Sequence, residues 1–229
     1  MTGGGPRIPG LAEEEWSDDI GRLLRATLSR VARLEGGHGG GGAAGPGPAP
    51  APAPALAPAA AAAAVAARRK PLPILPVIAR QERLLEPFLA WASALALDGV
   101  LPRRDSELLA LRAAHNCSSP FEWEHHCVYA RAAGITDDEL ARIAEGPGAG
   151  WVPHEAALLQ AADELDRRAN VSDATWAELA DHYEPAALVE LVIIVGHYTM
   201  LSMLANTAQV PTDAELSGTG SAGPARPAG

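Results

Sequence analysis

The chain has 229 residues, with 28 Asp+Glu against 18 Lys+Arg and a formal net charge of −10 at pH 7. That balance excludes a basic nucleic-acid reader, which neutralises phosphates with clustered Lys and Arg. Two cysteines, Cys117 and Cys127, exclude a disulfide scaffold or a four-thiolate zinc site and fit a reducing compartment.

The 23 Gly and 20 Pro exceed what one packed domain carries, so part of the chain reads as linker. Met1–Gly10 lacks a basic region followed by an apolar core, so no secretory signal is expected and the cytoplasm is the default. Residues 1–35 read as a helical arm. Residues 36–70 read as a low-complexity linker, because 36–67 are Gly, Ala or Pro except for His38, Leu56 and Val65. Such side chains bury too little area to offset ordering entropy, although Ala59–Ala67 has some helical character. A domain is expected over 71–210, and the Gly, Ala, Pro, Ser and Thr of 211–229 predict a disordered tail.

Within the domain every strong signal is helical, so the fold class is all-α. Leu84, Leu85, Phe88, Leu89, Ala92 and Leu95 recur at three- and four-residue spacing and predict an amphipathic helix ending near Asp98-Gly99. Asp105 is a candidate N-cap for a helix from Glu107 to Ala114, and Pro120 a first-turn residue for one stopped by Gly134. Thr136-Asp137-Asp138-Glu139 is a capping box, with Ile135 and Leu140 as its hydrophobic staple. Pro153 opens a helix to about Ala169, Ser172 and Asp173 cap another to about His182, and Pro185 opens the last, Ala186 to about Ala208. This last helix is long and apolar, yet Glu190, His197 and Asn206 interrupt it and no basic cluster flanks it. The expectation is a buried helix in the core or against another subunit, with no membrane partner.

Polar residues concentrate between His115 and Cys127. Glu122 and His126 are four apart and share one helix face. A carboxylate beside an imidazole raises its pKa and fixes its tautomer, giving a proton donor or acceptor near neutrality; the alternative is an ordinary pair on a solvated helix. Glu122-x-x-His125 has the spacing of carboxylate-bridged di-iron helices, but a second such motif and His-Glu-x-x-His are both absent, so neither metal nor cofactor is expected. The cysteines are ten residues apart, unlike a Cys-x-x-Cys dithiol. Cys127 reads as a small buried hydrophobe, and Cys117, in a loop near His115, as a candidate lone thiol. Glu107 reads first as a first-turn carboxylate favoured by the helix dipole. His197 is either hydrogen-bonded structure or part of a site, depending on whether its helix faces Glu122 and His126.

The segments Arg103-Arg104-Asp105-Ser106-Glu107-Leu108-Leu109-Ala110-Leu111-Arg112, Glu122-Trp123-Glu124-His125-His126 and Ala130-Arg131-Ala132-Ala133-Gly134-Ile135-Thr136 together resemble the carboxymuconolactone decarboxylase family, which includes the AhpD-like alkylhydroperoxidases. Trp151-x-Pro153-His154-Glu155 and Val195-Gly196-His197-Tyr198, with Asn206, are similar to the same group. The resemblance implies an all-helical homo-oligomer, trimer or hexamer, acting on a small molecule. AhpD-like members use a Glu, a Cys-x-x-Cys pair and a His. The Glu matches Glu107 and the His matches His126, whereas the cysteine positions fall on Ser119 and Glu122. Without those sulfurs no disulfide cycle is available there. The implied activity is acid-base catalysis of the decarboxylase type on a small lactone- or enol-type organic acid. Glu122 and His126 would be its acid and base, Glu107 would orient the His, and Arg112 or Arg131 are candidates to hold a substrate carboxylate. The alternatives are a thiol peroxidase (peroxiredoxin-type activity) using Cys117, and a non-catalytic helical oligomer that binds a ligand or partner.

Overall fold

The computed structural model describes residues 5–36 and 71–216, with side chains from 5–27 and 71–216. The expected linker from 37 onward, including Ala59–Ala67, and the tail at 217–229 lie outside the described residues. Among the described residues the regular structure is helical: α1 (Asp18–Gly36), α2 (Ile74–Ile78), α3 (Glu82–Leu97), α4 (Arg103–Asn116), α5 (Pro120–Ala132), α6 (Asp137–Glu145), α7 (Pro153–Arg168), α8 (Asp173–His182), α9 (Pro185–Ala208) and α10 (Asp213–Leu216).

The helix starts follow the local chemistry. Ser119 caps α5 by accepting from the Glu122 amide, with Pro120 in the first turn. Thr136 and Glu139 form the reciprocal capping box of α6, and Ser172 caps α8. Asp105 departs from expectation. Pro102 stands at the N-cap and Asp105 lies inside the first turn of α4, buried and accepting a hydrogen bond from the Tyr183 hydroxyl at 2.8 Å. The extended backbone of Pro102 lets Arg103 and Arg104 enter the helix directly, so no side-chain cap is used there. Beyond residue 210, Thr212 is buried and the Ala214 amide donates to Glu124.

Helix α4 is the axis of the fold. It packs against α5, α6, α7 and α9, and every residue from Glu107 to His115 is buried. One apolar core joins α4 to α6, α7, α8 and the first half of α9; a second joins α1, α2 and α3 to Phe121 and the last half of α9. The arm docks through Ile20 and Leu24, and α1 packs on α3. Tyr198, on α9, touches both cores. Helix α9 is long and apolar enough to cross a membrane by length and composition, and it packs here on α4, α5, α7 and α8. Its polar residues anchor neighbouring segments: Glu190 accepts from the Val100 and Leu101 amides, and Asn206 donates to the Cys117 carbonyl.

Arg112 is a structural residue rather than a substrate anchor. Its guanidinium is buried in a two-pronged pair with Asp163, at 2.6 and 2.9 Å, and also donates to the Ile143 and Ala144 carbonyls at the end of α6. Gly146 follows at φ +111°, and a Cβ there would meet that guanidinium at 3.0 Å, so only glycine suits the position. Arg131, the other candidate, pairs at the surface with Asp137. Removing one partner of a buried pair strands the other's charge. Asp163→Ala should therefore cost about 3–5 kcal/mol in urea unfolding; a loss under about 1 kcal/mol, the range of exposed pairs, would contradict this role for Arg112.

Candidate active site

The resemblance-derived residues converge where α4, α5 and α9 meet. Glu107 comes from the first half of α4 and Glu122 and His126 from successive turns of α5; all three are at most 5% exposed. His126 Nδ1 lies 2.7 Å from Glu107 Oε2. A carboxylate accepts, so Nδ1–H donates, and the lone pair of the neutral ring resides on Nε2. The other oxygen of Glu107 pairs with Arg103, one turn earlier on α4, at 2.6 Å. Arg103 also lies 5.7 Å from the centre of the Tyr129 ring.

His126 Nε2 points toward Glu122 Oε2 at 3.8 Å, beyond a hydrogen bond but within reach of a small side-chain rotation. The other oxygen, Glu122 Oε1, is buried and has no hydrogen-bond partner among the described residues. Burial pushes the Glu122 carboxyl up to about 7, with His126 pulling the other way. The solvated-pair alternative for Glu122 and His126 is thereby overturned, since both side chains are enclosed.

Aromatic rings wall the imidazole. Tyr198 meets His126 edge-on at 4.3 Å between centroids, and Tyr129 does so at 5.6 Å. Burial and the nearby Glu107 raise the Tyr198 hydroxyl above its ordinary value, keeping it neutral. His197 faces the same region: its ring is 5.0 Å from that of Tyr198, stacks on Phe88, and accepts a 3.3 Å hydrogen bond at Nδ1 from the Trp91 indole. Burial and the neighbouring His126 lower its pKa to about 4, so His197 is neutral near pH 7 and carries its proton on Nε2.

Other candidates have different places. His125 is buried beside Phe121, and its Nδ1 lies 2.8 Å from the Phe121 carbonyl oxygen. Ser119 serves as the α5 cap. Cys117, half-buried at the end of α4, and Cys127, buried and pushed up to about 11 by burial, form no disulfide. Tyr198 and Arg103 were given no role by sequence reading. Arg103 had a signal in its four-residue spacing to Glu107, whereas Tyr198 meets His126 only through the packing of α9 on α5.

The sequence profile of the carboxymuconolactone decarboxylase family matches residues 82–164, which span α3 through most of α7 and include Glu107, Glu122 and His126. Over this segment, 83 of the 229 residues, the chain is similar to that family. No curated protein matches the chain in sequence. Among solved structures, the fold is similar to a protein of unknown function from Agrobacterium tumefaciens described as a putative antioxidant defence protein AhpD. The TM-score is 0.53 and the identity 18%, over 59% of this chain and 94% of that one. An uncharacterized peroxidase-related protein from Silicibacter sp. TM1040 is similar with TM-score 0.65 and 12% identity, over 93% of this chain and 97% of that one. A Cys-to-Ala variant of the debrominase Bmp8, in complex with 2,3,4-tribromopyrrole, gives TM-score 0.63 and 12% identity over 93% of this chain and 94% of that one. At these identities the likeness establishes the AhpD-like helical fold, a scaffold that hosts different chemistries.

The position of Glu122 has a consequence for stability. Its folded pKa lies above the ordinary carboxyl value of 4.5, so the folded state binds the extra proton between those limits. Stability should fall as pH rises from about 5 to 8. Glu122→Gln should remove that slope and melt higher than the parent at pH 8, by on the order of 3 kcal/mol at roughly 1.4 kcal/mol per pKa unit. Parallel melting profiles for both proteins from pH 5 to 8 would show instead that Glu122 titrates as an ordinary carboxylate.

Proposed function

We propose that the protein is an acid-base enzyme of the carboxymuconolactone decarboxylase type, acting on a small lactone- or enol-type organic acid. The observation that carries this reading is the unpartnered, buried Glu122 carboxyl, poised near neutrality beside an imidazole already oriented by Glu107. A group whose pKa sits near the working pH is both protonated often enough and acidic enough to move a proton in the transition state.

In a decarboxylation the bond between the substrate carbon and its carboxylate breaks, CO2 leaves, and the electron pair enters a conjugated dienolate. Protonated Glu122 donates its proton to that carbon. The resulting carboxylate recovers a proton through Nε2 of His126, which solvent replenishes, so one proton is consumed for each CO2 released. Glu107 stabilises the imidazolium as it forms, and Arg103 holds the other oxygen of Glu107. Glu107 and Arg103 are thus positioning residues.

The peroxidase alternative rests on Cys117 alone, since Ser119 and Glu122 stand at the paired thiol positions. The family also suggests self-association, and we propose that a second copy covers Val189, Val192, Met200 and Met203, apolar residues exposed along the outer side of α9.

Two assays separate these readings. On β,γ-unsaturated lactone acids, CO2 release should fall by about 100-fold or more in Glu122→Gln and His126→Ala, the size of a lost acid-base contribution, while Cys117→Ser retains it. Activity of the parent should decline as pH rises through about 7, as Glu122 loses its proton. Hydroperoxide turnover with a dithiol reductant and loss of the Cys117 thiol would overturn the acid-base reading.

A further inference from the structure

A second cluster of ionisable groups lies outside the active site. Asp105 and Glu107 are two residues apart on α4 and so point about 200° apart around it. On the Asp105 side, the first turns of α4 and α7 meet the end of α8. One ligand-type atom from each of Asp105, His154 and Glu155 lies within 4.8 Å of the other two.

Two features set this cluster apart from a solvated acidic patch. Asp105 and Glu155 are only 5% and 8% exposed, and among the described residues a donor meets only one carboxylate oxygen of each. Asp105 is engaged by the Tyr183 hydroxyl, Glu155 by Arg104 at 2.7 Å. Among the described residues His154, half-buried, makes no hydrogen bond through its ring, which stacks on His182 at 4.0 Å between centroids. Burying two carboxylates together is costly unless positive charge meets them. Arg104 supplies one guanidinium, but it is divided between Glu155 and Glu139.

We propose that Asp105, His154 and Glu155 bind a divalent first-row transition metal ion, with water completing its shell. One imidazole nitrogen with two carboxylates is a borderline N/O set, which suits such ions better than the all-oxygen shells of magnesium and calcium. Bonds of about 2.0–2.2 Å require the donor atoms to draw in slightly from their present spread, a movement that half-buried His154 can supply. The ion would tie the start of α4, the helix that carries Glu107, to the start of α7. It acts as a structural staple and takes no part in the proton chemistry.

The test is titration of the full-length, chelator-treated protein with zinc chloride, followed by calorimetry and by thermal melting with and without metal. One equivalent should bind and raise the melting temperature, and a chelator should reverse the shift. His154→Ala and Glu155→Gln should weaken binding by about tenfold or more, the scale of losing a group that holds a metal, with helical circular dichroism unchanged in the absence of metal. Cys117→Ser and His126→Ala should bind as the parent does. Absence of binding in the parent, equal binding in His154→Ala and Glu155→Gln, or loss of binding in Cys117→Ser or His126→Ala would overturn the proposal.

Discussion

The hydrogen bond between His126 Nδ1 and Glu107 Oε2 governs the rest of the site. A carboxylate at 1% exposure is tolerable only where donors meet both its oxygens, and Glu107 has two, the imidazole on one side and Arg103 on the other. That bond fixes the tautomer of His126 and turns its free nitrogen toward Glu122. Tyr198, brought in by α9, packs edge-on against the ring. Burial of Glu122 then does the remaining work by making its ionised form expensive.

The burial of α4 makes this arrangement possible. A helix enclosed by α5, α6, α7 and α9 holds its charged residues in fixed geometry. Arg112 on one side clamps Asp163 and the end of α6, while Glu107 on another orients His126. Both ionic groups on this helix have their polar atoms met by partners. Arg112 is enclosed by partners, whereas Glu122, across from Glu107, keeps an oxygen unpaired.

Much of the fold was legible because its helices announce themselves locally. Pro120, Pro153 and Pro185 stand at first turns, and Ser119, Thr136 and Ser172 satisfy the amides of the helices they precede. The five-residue helix α2 carried no such pattern, since tertiary packing of Ile74, Leu75 and Val77 holds it. Within the site, Glu122 and His126 were legible from their shared helix face, and the part of Glu107 only from the family resemblance. Tyr198 and the approach of His154 to Asp105 were not legible, because those contacts join residues far apart in sequence. Asp105 misled the reading because an Asp near a helix start usually caps it, and here Pro102 takes that place while Asp105 turns inward to Tyr183.

The proposed chemistry requires Glu122 to hold a proton near neutral pH beside an oriented His126. The most direct measurement is a carbon-13 NMR titration of the side-chain carboxyls in glutamate-labelled protein, with the Glu122 resonance assigned by its loss in Glu122→Gln. A midpoint near 7 is expected for that carboxyl. A midpoint in the ordinary range, about 4 to 4.5, would contradict it and leave the pair without a group poised to carry the proton.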